Sequence, residues 1–560
     1  MTRLAWLAAC LAALALTWSA RTWPGAADRA VAGGAYFDLD DSESSLRLRL
    51  VELCLVSDSA PREDGFTTTG APSAVPWPPL VHATLALGAR LVLPRDEGSP
   101  ELGGYSEHDL RALLFAAGPW LGLLAALALA TAAMVAVGEP RRRTAFIVVL
   151  ALSSAWPLSL ARESLGTLHA HPWVVALLAA ELAALAVALR ASERIDTTLG
   201  ALVCGACAGL AHVAGPEAWP VSAAILGVFV ALAMRAPRTA KRDGWRSVLL
   251  YVAACLALCS ISDPGSAAEF WLPDFSHAPR GLLSCSPATL FAVALTTSVA
   301  LHAAWCSRRD PLRTALLAAA LPALLCALFD RRFFAPLTAV ALFGSALAIV
   351  DRAQSEVRRS TRWRAPALGL AASVALASSA GRCADGGDGS HALTHALSWL
   401  RDHTSAPGAF NHPAALQSWR VAAPPAMAGS IASWARRPTV AYQVDGHAST
   451  GVERLLEALR SPDVPALSAA LARLDCAYLV ALPRMLADSS LALPSEGAVA
   501  QLLRLPPAEV APFFERVYES SRSEELGGPT NSTGAGPAVV VFRRLSARAN
   551  PTGSSMSPVR

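Results

Sequence analysis

Apolar residues gather into runs near the length of a bilayer crossing, and charged residues collect in the gaps between them. The runs fall at roughly 4–20, 111–137, 144–161, 172–190, 197–214, 218–234, 247–262, 288–306, 312–329, 333–350 and 365–380. Each is close to the about 20 residues that cross a hydrocarbon layer. The pattern predicts an α-helical polytopic membrane protein with about eleven transmembrane helices. The first run is short enough to read as a signal peptide. An uncleaved first helix is preferred, because the alternation of the gaps then closes. Residues 21–110 read as a long polar loop, and residues 381–560 as a water-soluble domain.

Arginine placement orients the helices. Alternate gaps carry Arg141, Arg142 and Arg143; Arg190 with Arg194; "RAPRTAKRDGWR" (235–246); Arg308 with Arg309; and "DRAQSEVRRSTRWR" (351–364). The positive-inside rule places these in the cytoplasm. The 21–110 loop, the His169–His171 turn, the 215–217 turn, the 263–287 loop and the Asp330–Arg332 turn are then outside, as is the C-terminal domain. This gives a transmembrane domain, 1–380, with its long first outer loop at 21–110, and a soluble extracytoplasmic domain, 381–560. The soluble domain reads as α/β. "PTVAYQV" (438–444), "CAYLVAL" (476–482) and "AVVVFRRL" (538–545) have the look of buried strands, and 451–461 and 466–474 of helices. Asn531 opens a glycosylation sequon on the expected outer face.

Composition agrees with this reading. Of 560 residues, 53% are hydrophobic, and the mean hydropathy is +0.40, too apolar for a soluble chain of this length. Lys241 is the single lysine, so lysine nucleophiles and Schiff bases are nearly excluded. The net charge of +4 says little. There are 11 cysteines. Cys204 and Cys207 have metal-motif spacing but lie in an apolar run without a second pair, which favours packing. Cys54, Cys285, Cys383 and Cys476 fall in outer regions and are candidates for pairing.

Polar groups converging at membrane depth suggest function. The outer loops offer Asp38, Asp40, Asp41 and Glu43; His169 and His171; and Glu269, Asp274 and His277. Carboxylates with imidazoles suit a divalent cation. Taken alone, the two histidines read first as a polar turn and second as ligands. Arg331 and Arg332, at an outer boundary, read either as snorkelling to lipid headgroups or as a clamp on a phosphate.

In order and local pattern, the chain resembles the catalytic subunit of oligosaccharyltransferase, within the GT-C membrane glycosyltransferases. The likeness covers most of the chain. "DSESSLRLRL" from Asp41 and "PWPPL" (76–80) are similar to first-loop elements of that family. "GTLHAHPW" stands where an Asp-x-Asp-like pair is expected, and Arg332-Phe333 where an Arg-Phe faces the lipid pyrophosphate. "ALSWLRDHT" (396–404), "WARRPTVA" (434–441) and the closing "FFERVYES" and "AVVVFRRL" are similar to the family's soluble domain. One departure is sharp. Where the family has a WWDYG-type motif that grips the acceptor Ser/Thr, this chain has Pro425, Ala426 and Met427 within "APPAMAGSIASW".

The resemblance implies a GT-C-like transmembrane domain and transfer of a glycan from a polyprenyl (pyro)phosphate donor to an acceptor on the outer face. It implies a metal held by Asp41, His169 and His171, with Asp41 also counted as catalytic. Histidine ligands move the preference from Mg²⁺ toward Mn²⁺ or Zn²⁺. Arg332, with Arg331, would hold the donor phosphate. His277 is the expected acceptor-side catalytic group, with Glu269 as the alternative. Pro425, Ala426 and Met427 form the degenerate acceptor-binding motif. Expected partners are a polyprenyl-linked sugar donor, a protein or lipid acceptor and membrane lipids, with no nucleic acid. The expected location is the inner (cytoplasmic) membrane. Two other readings stay open: a GT-C enzyme acting on a lipid or polysaccharide, and a non-catalytic family member. A transporter is disfavoured, since no paired halves are visible.

Overall fold

The structure, a computed structural model, describes residues 3–30, 42–57, 60–66, 73–75, 77, 79–95, 102–139, 141–163, 167–190, 194–238, 240–260, 282, 285, 287–306, 310–357, 391–405, 419–444, 447–449, 451–486, 491–520 and 539–545. Two compact units emerge. The first is Met1–Asp40, Pro76–Pro100 and Gly104–Gly386; the second is Asp41–Val75, Glu101–Gly103 and Gly387–Arg560.

Helices in chain order are α1 (Arg3–Ala30), α2 (Ser42–Ser57), α3 (Leu80–Val92), α4 (Glu107–Ala136), α5 (Arg142–Ala155), α6 (Pro157–Arg162), α7 (His171–Arg190), α8 (Arg194–Ala214), α9 (Trp219–Arg235), α10 (Lys241–Cys259), α11 (Pro287–Cys306), α12 (Pro311–Phe329) and α13 (Phe334–Val357). All but α2 belong to the first unit. Every apolar run within the described residues falls on a helix; the run at 365–380 lies outside them. Among the described residues, six helices are long and apolar enough to cross a membrane.

The helix starts follow from local chemistry. Ser106 caps α4 by accepting from the Asp109 N–H at 3.4 Å, with Glu107 and Asp109 in the first turn. Asp310 caps α12, accepting from the Leu312 N–H at 3.0 Å, and Pro311 opens that helix. Between α5 and α6 the chain breaks at Trp156, whose buried indole N–H donates to Thr338 Oγ1 at 2.8 Å. Alanine and leucine from α4, α5, α7, α8, α12 and α13 form one core. Leu11, Leu16, Trp120, Leu124, Leu249, Leu256, Leu321 and Leu325 remain exposed, as side chains facing lipid would.

The arginine-bearing turns gather at one end of this unit. Arg141 Nη1 donates to Asp351 Oδ1 at 2.7 Å, and Arg313 also pairs with Asp351. Arg190 donates to the carbonyls of Val135 and Ala136. By alternation of the helices, the turns at 163–170, 215–218 and 330–333 lie at the other end. There the short helical turns Pro216–Ala218 and Arg331–Phe333 pack together.

The region 21–110 departs from the expected polar loop. It contains the end of α1 together with α2 and α3, and Asp41–Val75 folds with Gly387–Arg560 rather than with the transmembrane unit. Burial of α2 is nearly complete from Glu43 to Leu55. Both of its arginines meet carboxylates. Arg47 pairs with Glu43 at 2.8 Å, and Arg49 lies 3.3 Å from Asp64 and over the Phe66 ring. The helical stretch 425–435 packs on α2, and the Thr439 N–H donates to the Phe66 carbonyl at 2.8 Å.

The second unit also holds a four-stranded sheet, ordered Arg420–Ala422, Cys476–Ala481, Val540–Arg544, Phe514–Glu519. The first pair is parallel and the others antiparallel. Helices Val452–Leu459 and Val464–Arg473 match the two expected ones. The strand expected over 438–444 shrinks to Gln443–Val444. Pro438 has no N–H for a ladder, and its carbonyl instead accepts from the Val421 N–H at 2.8 Å.

Candidate functional site

At the α6–α7 turn, Arg21 of α1 reaches Glu163 across the unit. Nε and Nη2 both donate to Glu163 Oε2, at 2.9 and 2.5 Å. Both side chains are 1% exposed. Gly122 of α4 makes room for the pair. A Cβ there would lie 2.6 Å from Arg21 Nε and 2.6 Å from Glu163 Oε2. Burial pushes the Glu163 carboxyl above its ordinary value, while the Arg21 guanidinium pulls it back.

His169 and His171 sit in the same cluster and are buried. Arg162 Nη1 lies 3.0 Å from His169 Nδ1. A guanidinium only donates, so Nδ1 accepts and its lone pair is engaged. His171 differs. Its Nε2 faces Glu163 Oε1 at 3.5 Å, and both atoms are buried without a hydrogen-bond partner. The two histidines predicted from sequence are therefore neighbours with different chemistry. Glu163, which sequence reasoning passed over, completes the group.

The other predicted arginines lie on the α12–α13 turn. Arg332 donates through Nε to Asp330 Oδ2 at 2.8 Å, and its Nη2 lies 2.6 Å from the same oxygen. Asp330 Oδ1 accepts from the Arg332 N–H at 2.9 Å. This carboxylate fixes one edge of the guanidinium at a site 10% exposed. Arg331 is exposed. Asp41, Glu269 and His277 lie outside the described residues, as do Asp38, Asp40, Asp274 and Asn531. Among the described residues, no three His, Cys, Asp or Glu side chains converge as a metal cluster.

In the second unit, Pro425, Ala426 and Met427 form a single tight turn. Pro425 and Met427 are buried, and Ala426 is exposed. The outward side chain of this motif is thus a methyl group. Arg437 nearby is structural. It donates to Thr404 Oγ1 at 2.7 Å and to the carbonyls of Arg401 at 2.8 Å and Arg436 at 2.9 Å, tying helix His391–His403 to the bend at Arg436 (φ 50°).

Two further observations bear on the expectations. Cys476 is buried with its thiol reduced, and Cys383 lies outside the described residues. Cys204 is buried, with its thiol donating to the Glu181 carbonyl at 3.3 Å, which agrees with packing. A polar cluster inside the helices was missed: Glu181 of α7 accepts from the Tyr251 hydroxyl at 2.8 Å and the Ser222 hydroxyl at 3.0 Å. Its signal was one acid in an apolar run.

No family model and no curated protein sequence matches this chain. Solved structures do. The apo oligosaccharyltransferase of Archaeoglobus fulgidus aligns with a TM-score of 0.71 at 12% identity, over 97% of this chain and 89% of that one. The same oligosaccharyltransferase in complex with Zn and sulfate aligns at 0.68 and 14% identity, over 92% and 79%. ArnT from Cupriavidus metallidurans, bound to undecaprenyl phosphate, aligns at 0.52 and 12% identity, over 97% and 98%. At such identities the likeness is one of fold. The chain is a divergent multi-pass membrane protein with the GT-C fold that these structures share.

Proposed function

We propose that this chain is a membrane glycosyltransferase that moves a glycan from a polyprenyl (pyro)phosphate donor to an acceptor at the extracytoplasmic face of the inner membrane. The observation that carries this reading is fold likeness over nearly the whole chain, to one protein solved with dolichol phosphate and another solved with undecaprenyl phosphate. The buried Arg, Glu and His cluster lies at the end of the helices opposite the arginine-rich turns, where such a headgroup would sit.

In this reading Arg332, held on one edge by Asp330, grips the donor phosphate with its planar fork, and Arg331 adds charge beside it. His171 offers a buried ring nitrogen without a partner, which fits a divalent cation. His277 or Glu269 would act on the acceptor side. The cation, Mn²⁺, Mg²⁺ or Zn²⁺, would supply Lewis-acid stabilisation to the departing phosphate. Arg332 stabilises the same developing charge from the protein.

A second reading has its own support. Ala426 presents no hydrogen-bond acceptor to a Ser/Thr hydroxyl, which favours a lipid or polysaccharide acceptor over an Asn-x-Ser/Thr peptide. One experiment separates them. Membranes containing the chain are incubated with a labelled polyprenyl-linked glycan and a divalent metal, and the label is followed into peptide or lipid. Transfer to either supports the enzyme, and its destination selects the reading. Arg332→Ala is expected to lower the rate about 100-fold or more, the scale of losing a charge-stabilising donor. Absence of transfer to both acceptors overturns the proposal.

A further inference from the structure

The atoms around Glu163 are divided unevenly. Oε2 takes both donated bonds from Arg21, while Oε1 takes none and faces His171 Nε2, which also has none. Both atoms are buried, and a buried polar atom left unpaired is costly. A direct hydrogen bond does not account for the gap. A charged N–H···O bond spans about 2.7–2.9 Å, and these atoms stand 3.5 Å apart.

Two ligands on one small cation do account for it. With bonds of about 2.0–2.2 Å, neighbouring ligand atoms are roughly 3.0–3.5 Å apart across angles from 90° to tetrahedral. We infer that Glu163 Oε1 and His171 Nε2 form a paired ligand set for one divalent cation, with Glu163 supplying the carboxylate that the His-x-His turn lacks. Arg21 is a positioning residue. By occupying Oε2 it turns Oε1 toward the imidazole, as outer partners orient metal-bound carboxylates. Gly122 lets that arrangement close. His169 is set apart from it by the Arg162 contact on Nδ1. Two protein ligands leave positions for water and for phosphate oxygens, the usual arrangement for a cation bound together with a phosphorylated substrate. Glu163 comes from the chain just before the turn, so the site is built from the end of α6 and the start of α7. The inference deepens the proposed glycosyl transfer in assigning a role, but its test does not depend on that activity.

The test uses the full chain in detergent micelles, stripped of metal, with no donor lipid. Mn²⁺ is titrated and the free ion is followed by electron paramagnetic resonance. Wild type is expected to bind one Mn²⁺ at the site. Glu163→Gln and His171→Gln are each expected to weaken binding about tenfold or more. Glu163→Gln keeps an oxygen for Arg21, so the thermal midpoint without metal checks that the fold survives. The double variant is decisive. Ligands of one ion are coupled, so the loss in Glu163→Gln/His171→Gln is expected to depart from the sum of the two single losses. Unchanged affinity in either single variant, additive losses in the double, or no site in wild type overturns the inference. Loss of Mn²⁺ binding in a chain that transfers no glycan upholds this site while removing the proposed function. Normal Mn²⁺ binding by Glu163→Gln with glycan transfer intact does the reverse.

Discussion

Gly122 has no side chain because the Arg21–Glu163 pair fills the space that a Cβ would take. Gly122→Ala is therefore expected to cost about 1–3 kcal/mol, the range for overpacking a closed interior. A fall in thermal midpoint in micelles measures it. Cys476 gives a residue-scale prediction in the second unit. Burial pushes its thiol up to about 12, so the folded state holds this proton more tightly than the unfolded chain. The fold should lose stability as pH rises from about 8.5, the free-thiol value, toward about 12. At pH 8 a maleimide should label Cys476 only after denaturant unfolds the chain, which mass spectrometry of the labelled peptide would show. What sequence conveyed at this scale was residue type. His169 and His171 stood out as imidazoles between apolar runs. Glu163 did not, since "RES" resembles ordinary solvated punctuation. Its partner Arg21 lies 142 positions away, a pairing that spacing cannot reveal.

Helices α8 and α10 approach each other closely. Gly205 and Gly209, one turn apart, face the backbone of Tyr251 and Cys255; a Cβ on Gly209 would lie 2.7 Å from the Cys255 carbonyl oxygen. In lipid, helices associate through such small-residue contacts, because apolar burial offers little preference there. Gly205→Leu should separate α8 from α10 and loosen the bonds between Tyr251, Ser222 and Glu181. Faster proteolysis and a lower thermal midpoint are the expected readouts. The helices themselves were legible, because membrane-length apolar runs admit few other structures. α2 was not. "SLRLRL" mixes leucine with arginine at a strand-like interval, and charges normally mark solvent. Here Arg47 and Arg49 enter the interior because Glu43 and Asp64 meet them.

For the whole molecule, the arginine alternation predicted which turns share an end, and the ion pairs at Asp351 support that grouping. Tags inserted at Glu139 and at Ser260, both exposed, should be accessible from opposite faces of sealed vesicles. Accessibility from one face would contradict the alternation. The division into units was legible only in part. The end of the apolar runs led to an expected boundary at 380, where residues 358–390 lie outside those described. The assignment of residues 41–75 was not legible, because it depends on long-range packing of 425–435 on α2.

That packing has a practical consequence. The second unit is not built from one stretch of chain, since its interior includes a helix encoded more than three hundred positions before most of the rest of it. Release of the C-terminal part from the ribosome must therefore precede completion of that interior. Until then α2 waits with four ionic groups and a row of leucines uncovered, a period in which a chaperone at the membrane surface would have work to do. Expressing residues 1–386 by themselves makes that state permanent, and aggregation is the expected fate of the shortened chain.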